Sequence, residues 1–253
     1  MVRQKGGVLE GGTPPLGHRA AMTLAAAEYA RGAALLESLE VREWALPTEC
    51  PPWDVRSMAT HLLGYMRACA SVREQLRQVR VARAHGGAIA DAMSDLQVRE
   101  LSALSPEEIT AEMRALLPRA VAGRRRVPAP LRHLVRIASD LPVAGTRERW
   151  SLGYVVDVIG TRDCWMHRID ICRATGRAME LTADHDGVLV ANVAADWAQR
   201  HERPVRLTLT GPAGGDFAFG DGGPAVSYDA VEFCRALSGR GGDEVPFGKE
   251  VPF

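Results

Sequence analysis

The stretch TRDCWMHRIDICRATG, residues 161–176, decides how this chain is read. At helical spacing Val156, Ile159, Asp163, His167, Asp170 and Ala174 follow one another by three, four, four, three and four residues, which makes one straight stripe. The stripe begins apolar and turns ionisable. Ser151 stands where its N-cap belongs, and Gly176 supplies the stop. If the stripe faces the inside of a bundle, three titratable groups enter a low dielectric, where an unpaired charge costs on the order of several kcal/mol. A divalent cation would compensate them, and Asp163 and His167, one turn apart, can reach the same ion. Asp170, one turn further, is placed to hydrogen-bond the imidazole and fix its tautomer rather than to act as a fourth ligand. The same Asp-x-x-x-His spacing also fits a plain pair on a helix surface.

Upstream, residues 18–41 are rich in Ala, Leu and Glu at helical period and predict helix one. A Pro-containing connection follows, and Asp54 is the expected N-cap of helix two, VRSMATHLLGYMRACASVREQLRQV (55–79). Residues 88–126 predict a third helix in two pieces, with a capped restart at Ser105-Pro106-Glu107-Glu108. Residues 127–149 read as loop. Four long helices with an extended connection before the last predict a helical bundle over 18–178. Residues 1–17, rich in Gly and Pro, are expected to form a disordered arm. Residues 179–253 change texture: helix over 184–201, a strand at VRLTLTGP (205–212), Gly-rich turns between short β-prone pieces, and helix over 229–238. This predicts a small α+β domain with an extended tail, EVPFGKEVPF, and places the whole chain in the α+β class.

The 253 residues are 46% apolar and 25% charged, and Lys plus Arg equals Asp plus Glu at 31 each, so no global field favours nucleic acid or an anionic membrane. Small molecules are the expected partners. Five cysteines without a CxxC pair, and no charged segment leading into an apolar run at the N-terminus, point to a reducing cytoplasm. The RRR run at 124–126 reads as positive charge complementing a helix end. Arg162 and Arg168 project away from the stripe and are expected in surface or interdomain pairs, and Cys164 as a small buried hydrophobe.

On helix two, His61 shares a face with Met58, Tyr65 and Ala68, beside the seam Val55, Met58, Leu62, Tyr65, Cys69 and Val72. It could be a satisfied core histidine. With Asp163 and His167 it also completes the three-ligand count of a catalytic metal site that leaves room for water or substrate. Zinc suits two imidazoles and one carboxylate, and iron or nickel can use similar ligands.

The segment CPPWDVRSMATHLLGYM (50–66), with Trp53 eight residues before His61, resembles the second helix of DinB-like proteins. TRDCWMHRIDICRATG resembles the metal-binding helix of their mycothiol-dependent maleylpyruvate isomerase branch, and LTGPAGGDFAF (209–219) and FCRALSGR (233–240) resemble the small domain that follows the bundle there. The resemblance implies a DinB-like four-helix bundle whose ligands are a histidine on helix two and an acid four residues before a histidine on helix four, here His61, Asp163 and His167. It implies mycothiol as thiol cosubstrate, an electrophilic small molecule as partner, cis–trans isomerisation as reaction, and Arg240 as the active-site arginine. The branch has glutamate at the acidic ligand, and Asp163 is one methylene shorter. A mycothiol S-transferase in detoxification or natural-product biosynthesis, and a non-catalytic binder with a structural metal, are the alternatives.

Overall fold

Alanine, leucine and glutamate at helical spacing form α1 (His18–Glu37) in the computed structural model, which describes residues 4–5, 8–10, 16–138, 148–241 and 245–253. Before it lie two short strands, β1 (Gln4–Lys5) and β2 (Val8–Glu10), inside the segment expected as a disordered arm, most of which falls outside the described residues. Helix α2 (Val55–Ala70) starts at the expected cap, where the Asp54 carboxylate accepts the Ser57 N–H at 2.8 Å. It does not run on to residue 79. Ser71 turns extended and its hydroxyl accepts the Glu74 N–H, capping a separate helix α3 (Val72–His85). The break rotates Val72 off the seam it shares in sequence with Val55 and Cys69 and leaves it 77% exposed.

Helices α4 (Ile89–Leu101) and α5 (Pro106–Arg125) are separated by the expected restart: Ser105 Oγ accepts the Glu108 N–H, and the Glu108 carboxylate accepts the Ser105 N–H at 2.7 Å. The segment expected as loop holds α6 (Ala129–Leu134) and a two-stranded antiparallel pair, β3 (Arg136–Ala138) with β4 (Arg149–Ser151). The Ser151 hydroxyl accepts the Tyr154 N–H to open α7 (Leu152–Tyr154), a wide turn follows at Val155–Ile159, and α8 (Gly160–Thr175) ends at Gly176 with φ 67°.

Helices α1, α2, α5 and α8 form the bundle, and α3 and α4 pack on α2. From Gly160 to Cys172 every residue of α8 except Asp163 is buried. The helix is enclosed on all sides, so Arg162 and Arg168 are interior residues and not the surface pairs expected from their position off the stripe. Arg168 meets Glu28 of α1 through both carboxylate oxygens, at 2.7 and 3.1 Å. Two glycines set the close approaches. A Cβ on Gly160 would fall 1.8 Å from the Tyr65 hydroxyl, and one on Gly123 would fall 1.8 Å from the Cys69 carbonyl oxygen, where the backbones of α5 and α2 nearly touch.

The chain divides into two compact units, the bundle within residues 18–178 and a second unit made of the residues after 178 together with the N-terminal strands. In the second unit, α9 (Val188–His201) precedes β5 (Val205–Thr210), β6 (Gly215–Phe219), β7 (Ala225–Asp229) and α10 (Ala230–Leu237). Strand order is β1-β2-β6-β5-β7; β5 and β6 are an antiparallel hairpin, while β7 runs parallel to β5 and β2 parallel to β6. Val205, Leu207 and Leu209 point inward and their neighbours outward, the period of two seen in the sequence. The C-terminal tail is docked rather than free: Trp197 donates its indole N–H to the Pro246 carbonyl at 2.9 Å, Phe247 stacks on Trp197, and Val251 N–H bonds the Leu237 carbonyl. Among the described residues no helix is long and apolar enough to cross a membrane.

Gly123→Ala is expected to lower unfolding free energy by about 1–3 kcal/mol, since its contact is backbone and cannot yield cheaply. Gly32→Ala in α1, where a Cβ meets nothing within 4 Å, is expected to raise it by about 0.5–1 kcal/mol. Urea unfolding of both variants checks the pair.

Candidate metal centre

The cap at Asp54 fixes the register of α2 and carries His61 to the second turn of that helix, while α8 brings Asp163 and His167 from one hundred residues further along the chain. His61 Nε2 stands 3.3 Å from one carboxylate oxygen of Asp163 and His167 Nε2 stands 3.3 Å from the other. One donor atom from each residue lies within 4.8 Å of the others. The imidazole planes are nearly perpendicular, with centroids 5.2 Å apart. Both histidines are buried, whereas the Asp163 side chain keeps 26% of its surface, so the cluster opens to solvent along the carboxylate. The short acid reaches both rings.

His167 has a second partner. Its Nδ1 lies 3.2 Å from the carboxylate of Asp170, which is fully buried, so Nε2 is the nitrogen turned toward Asp163. Burial alone would push the His167 imidazole down, but Asp163, and after it Asp170, raise it to about 9. Burial would raise the Asp163 carboxyl, yet His167 and His61 hold it well below the usual carboxylate range. Together the two shifts favour an imidazolium facing a carboxylate at neutral pH.

The separations favour a cation between these side chains. Charge-assisted N–H···O bonds run at about 2.7–2.9 Å. Here each Nε2 stands 3.3 Å from a different carboxylate oxygen, longer than such a bond, and one donor atom from each residue lies within 4.8 Å of the others. Two imidazole nitrogens and one carboxylate oxygen are also the donors of catalytic zinc sites that keep an open position. The residues fit a divalent ion.

The approach to α8 holds features that its sequence does not announce. In the wide turn, Gly160 N–H bonds the carbonyl of Val155, five residues back. The extra residue rotates Val156 and Ile159 by about 100° relative to Asp163, so the straight stripe drawn in sequence holds only from Gly160 onward. The Val156 carbonyl accepts from Arg124, whose guanidinium also donates to the Tyr29 hydroxyl and to Thr161 Oγ1, each at 2.8 Å. Arg124, in the last turn of α5, where the RRR run is expected to complement a helix end, is also a buried brace for this turn. Asp157, in the same turn, meets His18 Nδ1 at 2.7 Å and accepts from Arg132 at 2.9 Å. Trp53 packs its indole against both imidazoles, 5.1 Å from His61 and 5.9 Å from His167. Arg240 lies in the other unit, just after α10, where its guanidinium donates to Ser238 Oγ at 3.2 Å.

The family model described as mycothiol maleylpyruvate isomerase N-terminal domain matches residues 25–172. A crystal structure of the mycothiol-dependent maleylpyruvate isomerase is similar in fold, with TM-score 0.57 and 16% identity, covering 94% of this chain and 98% of that one. A mutant of it with alanine in place of a histidine gives TM-score 0.56 and 15% identity over the same shares. No curated protein sequence matches the chain.

Arg124→Met is expected to lower unfolding free energy by about 3–5 kcal/mol, because the Val156 carbonyl, Tyr29 and Thr161 lose a common donor in a dry interior. Arg124→Lys should recover only part of this, since an ammonium lacks the planar fork that meets three acceptors. Denaturant unfolding of the two variants measures the difference.

Proposed function

The chain belongs to the family of the mycothiol maleylpyruvate isomerase N-terminal domain, and on that premise we propose that it is a metal- and mycothiol-dependent enzyme of the maleylpyruvate isomerase type, acting on an electrophilic small molecule. The observation that carries this reading is the convergence of His61, Asp163 and His167 from two helices on one volume within 4.8 Å. In it these three side chains hold a divalent ion, zinc by the nature of the donors, and Asp170 fixes the His167 ring through Nδ1. When bound, the ion lowers the pKa of an approaching thiol from its free value near about 8.5, so that the thiolate prevails at neutral pH. Mycothiol supplies that thiol: reversible addition to a conjugated cis double bond leaves a single bond free to rotate, and the thiol is regenerated when the double bond re-forms.

The chain's own side chains do the rest. Within the triad Asp163 is the half-open member, so small molecules approach along its carboxylate, while the two imidazoles are buried and His61 packs against the Trp53 indole. The planar fork of Arg240 is the proposed partner for substrate carboxylates or a developing enolate oxygen.

His167→Ala should strip the metal, measured by elemental analysis, and leave the far-ultraviolet circular dichroism of the bundle intact; unchanged metal content would overturn the ligand assignment. Asp163→Glu, which restores the acid of the isomerase branch, should retain metal. With mycothiol and maleylpyruvate as probes, thiol recovered in full beside the trans product supports the isomerase. Stoichiometric loss of thiol would assign the chain to S-transfer, and no reaction with the metal-loaded protein would leave a binder with a structural ion.

A further inference from the structure

Resting on that reading of the metal centre, we propose that Trp53 is a positioning residue whose indole holds the His61 imidazole in place, the task that a carboxylate performs for His167. The two imidazoles are held in different ways. His167 is fixed at its second nitrogen by Asp170 at 3.2 Å. Among the described residues His61 has no such partner: its Nδ1 is buried and meets no hydrogen-bonding atom of them. A ligating histidine is ordinarily oriented by what its other nitrogen bonds, because that bond sets both ring rotation and tautomer. For His61 the constraint must come from packing.

Trp53 is built to supply it. The indole is tilted 38° to the His61 ring at 5.1 Å and 46° to the His167 ring at 5.9 Å, and the two imidazoles lie 5.2 Å apart, so the three rings form a closed triangle. Rotation of the His61 ring about its Cβ–Cγ bond would drive an edge into the indole. The tryptophan backbone is itself pinned. Its N–H bonds the Cys50 carbonyl at 2.9 Å, and its carbonyl accepts from the Thr48 N–H at 3.1 Å and the Thr48 hydroxyl at 2.7 Å. The next residue, Asp54, caps α2 through both the N–H and the hydroxyl of Ser57. The wall and the residue it faces thus share one pinned piece of chain, so the backbones of Trp53 and His61 keep a fixed spacing. An aromatic face also keeps the surroundings of the ligand nitrogen apolar, which a hydrogen-bonding partner would not do.

The test compares Trp53→Ala, Trp53→Leu and Trp53→Phe with the parent, each freed of metal by chelator and reloaded. Zinc affinity is read by competition with a chromogenic chelator, and ligand geometry by the visible d–d absorption of the cobalt(II) form. Trp53→Ala and Trp53→Leu should weaken zinc binding by about tenfold or more, the effect of losing an outer partner of a metal ligand, and should alter the cobalt spectrum. Trp53→Phe, which keeps a plane against the imidazole, should bind close to the parent. Should Trp53→Ala not fold, the leucine variant carries the comparison. A readout independent of the ion comes from carbon-13 ring correlations and their relaxation in metal-free protein: the His61 ring should be ordered in the parent and in Trp53→Phe and mobile in the leucine variant. Parent affinity, parent spectrum and a His61 ring as ordered as the parent's in Trp53→Leu would overturn the proposal. If His167→Ala also binds zinc like the parent, the metal centre itself is misassigned, and the ring correlations alone then decide whether Trp53 orients His61.

Discussion

Everything in the bundle depends on charge being matched inside α8. This helix is closed in by its neighbours from Gly160 to Cys172, apart from Asp163, yet it carries Arg162, Asp163, His167, Arg168 and Asp170. An isolated ion in such a place would cost several times the value of any single hydrophobic contact, on the order of several kcal/mol after relaxation. The structure answers with partners at fixed positions. Arg168 is matched by Glu28 of α1, His167 by Asp163 and Asp170, and Asp163 by His61 of α2. Each pair ties α8 to a different neighbour or to itself, so the polar contents of the helix specify which helices surround it and in what register.

The same demand shapes the approach to α8. A wide turn leaves a carbonyl without its ordinary helical donor, and buried Arg124 fills that need while bonding Tyr29 and Thr161. Asp157 receives His18 from the start of α1 and Arg132 from α6. The helix that presents Asp163 is thereby held from three elements before that residue is reached. Wide turns of this kind commonly sit beside functional residues, and here the reason is mechanical: the turn resets the rotation of α8, and its braces keep that rotation from slipping.

What could be read from sequence was whatever acts locally. Asp54, Ser105 and Ser151 cap helices because a side-chain oxygen three residues before an amide is a short-range event, and the alternation of Val205 to Thr210 reports a sheet face directly. The grouping of His61, Asp163 and His167 was also legible, since polar residues on apolar faces of two helices demand a common explanation. The rest is masked or depends on distant partners. The break at Ser71 carries a local sign, the Ser-x-x-Glu spacing to Glu74, but the apolar seam continuing through Val72 masks it. Arg124 looks like its neighbours in RRR and differs only by the carbonyl it finds thirty-two residues away. The all-round burial of α8 conceals itself, because arginines at Arg162 and Arg168 imitate a solvated face. The docking of the EVPF tail needs Trp197, far back in the chain.

A last consequence concerns how an ion and the fold relate. Small zinc domains fold only with metal, because their ligands have no other compensation and too little core surrounds them. Here the bundle has a core of its own, with Met22, Leu36, Met58, Leu63, Ile109 and Trp165 fully buried. The ligand charges are matched internally, His167 raised to about 9 against a depressed Asp163. The convergence of His61, Asp163 and His167 is thus held by packing and by charge matching among the side chains themselves. Preorganisation of that kind lets a site keep a coordination position for a substrate, because the fold does not require that position to be filled.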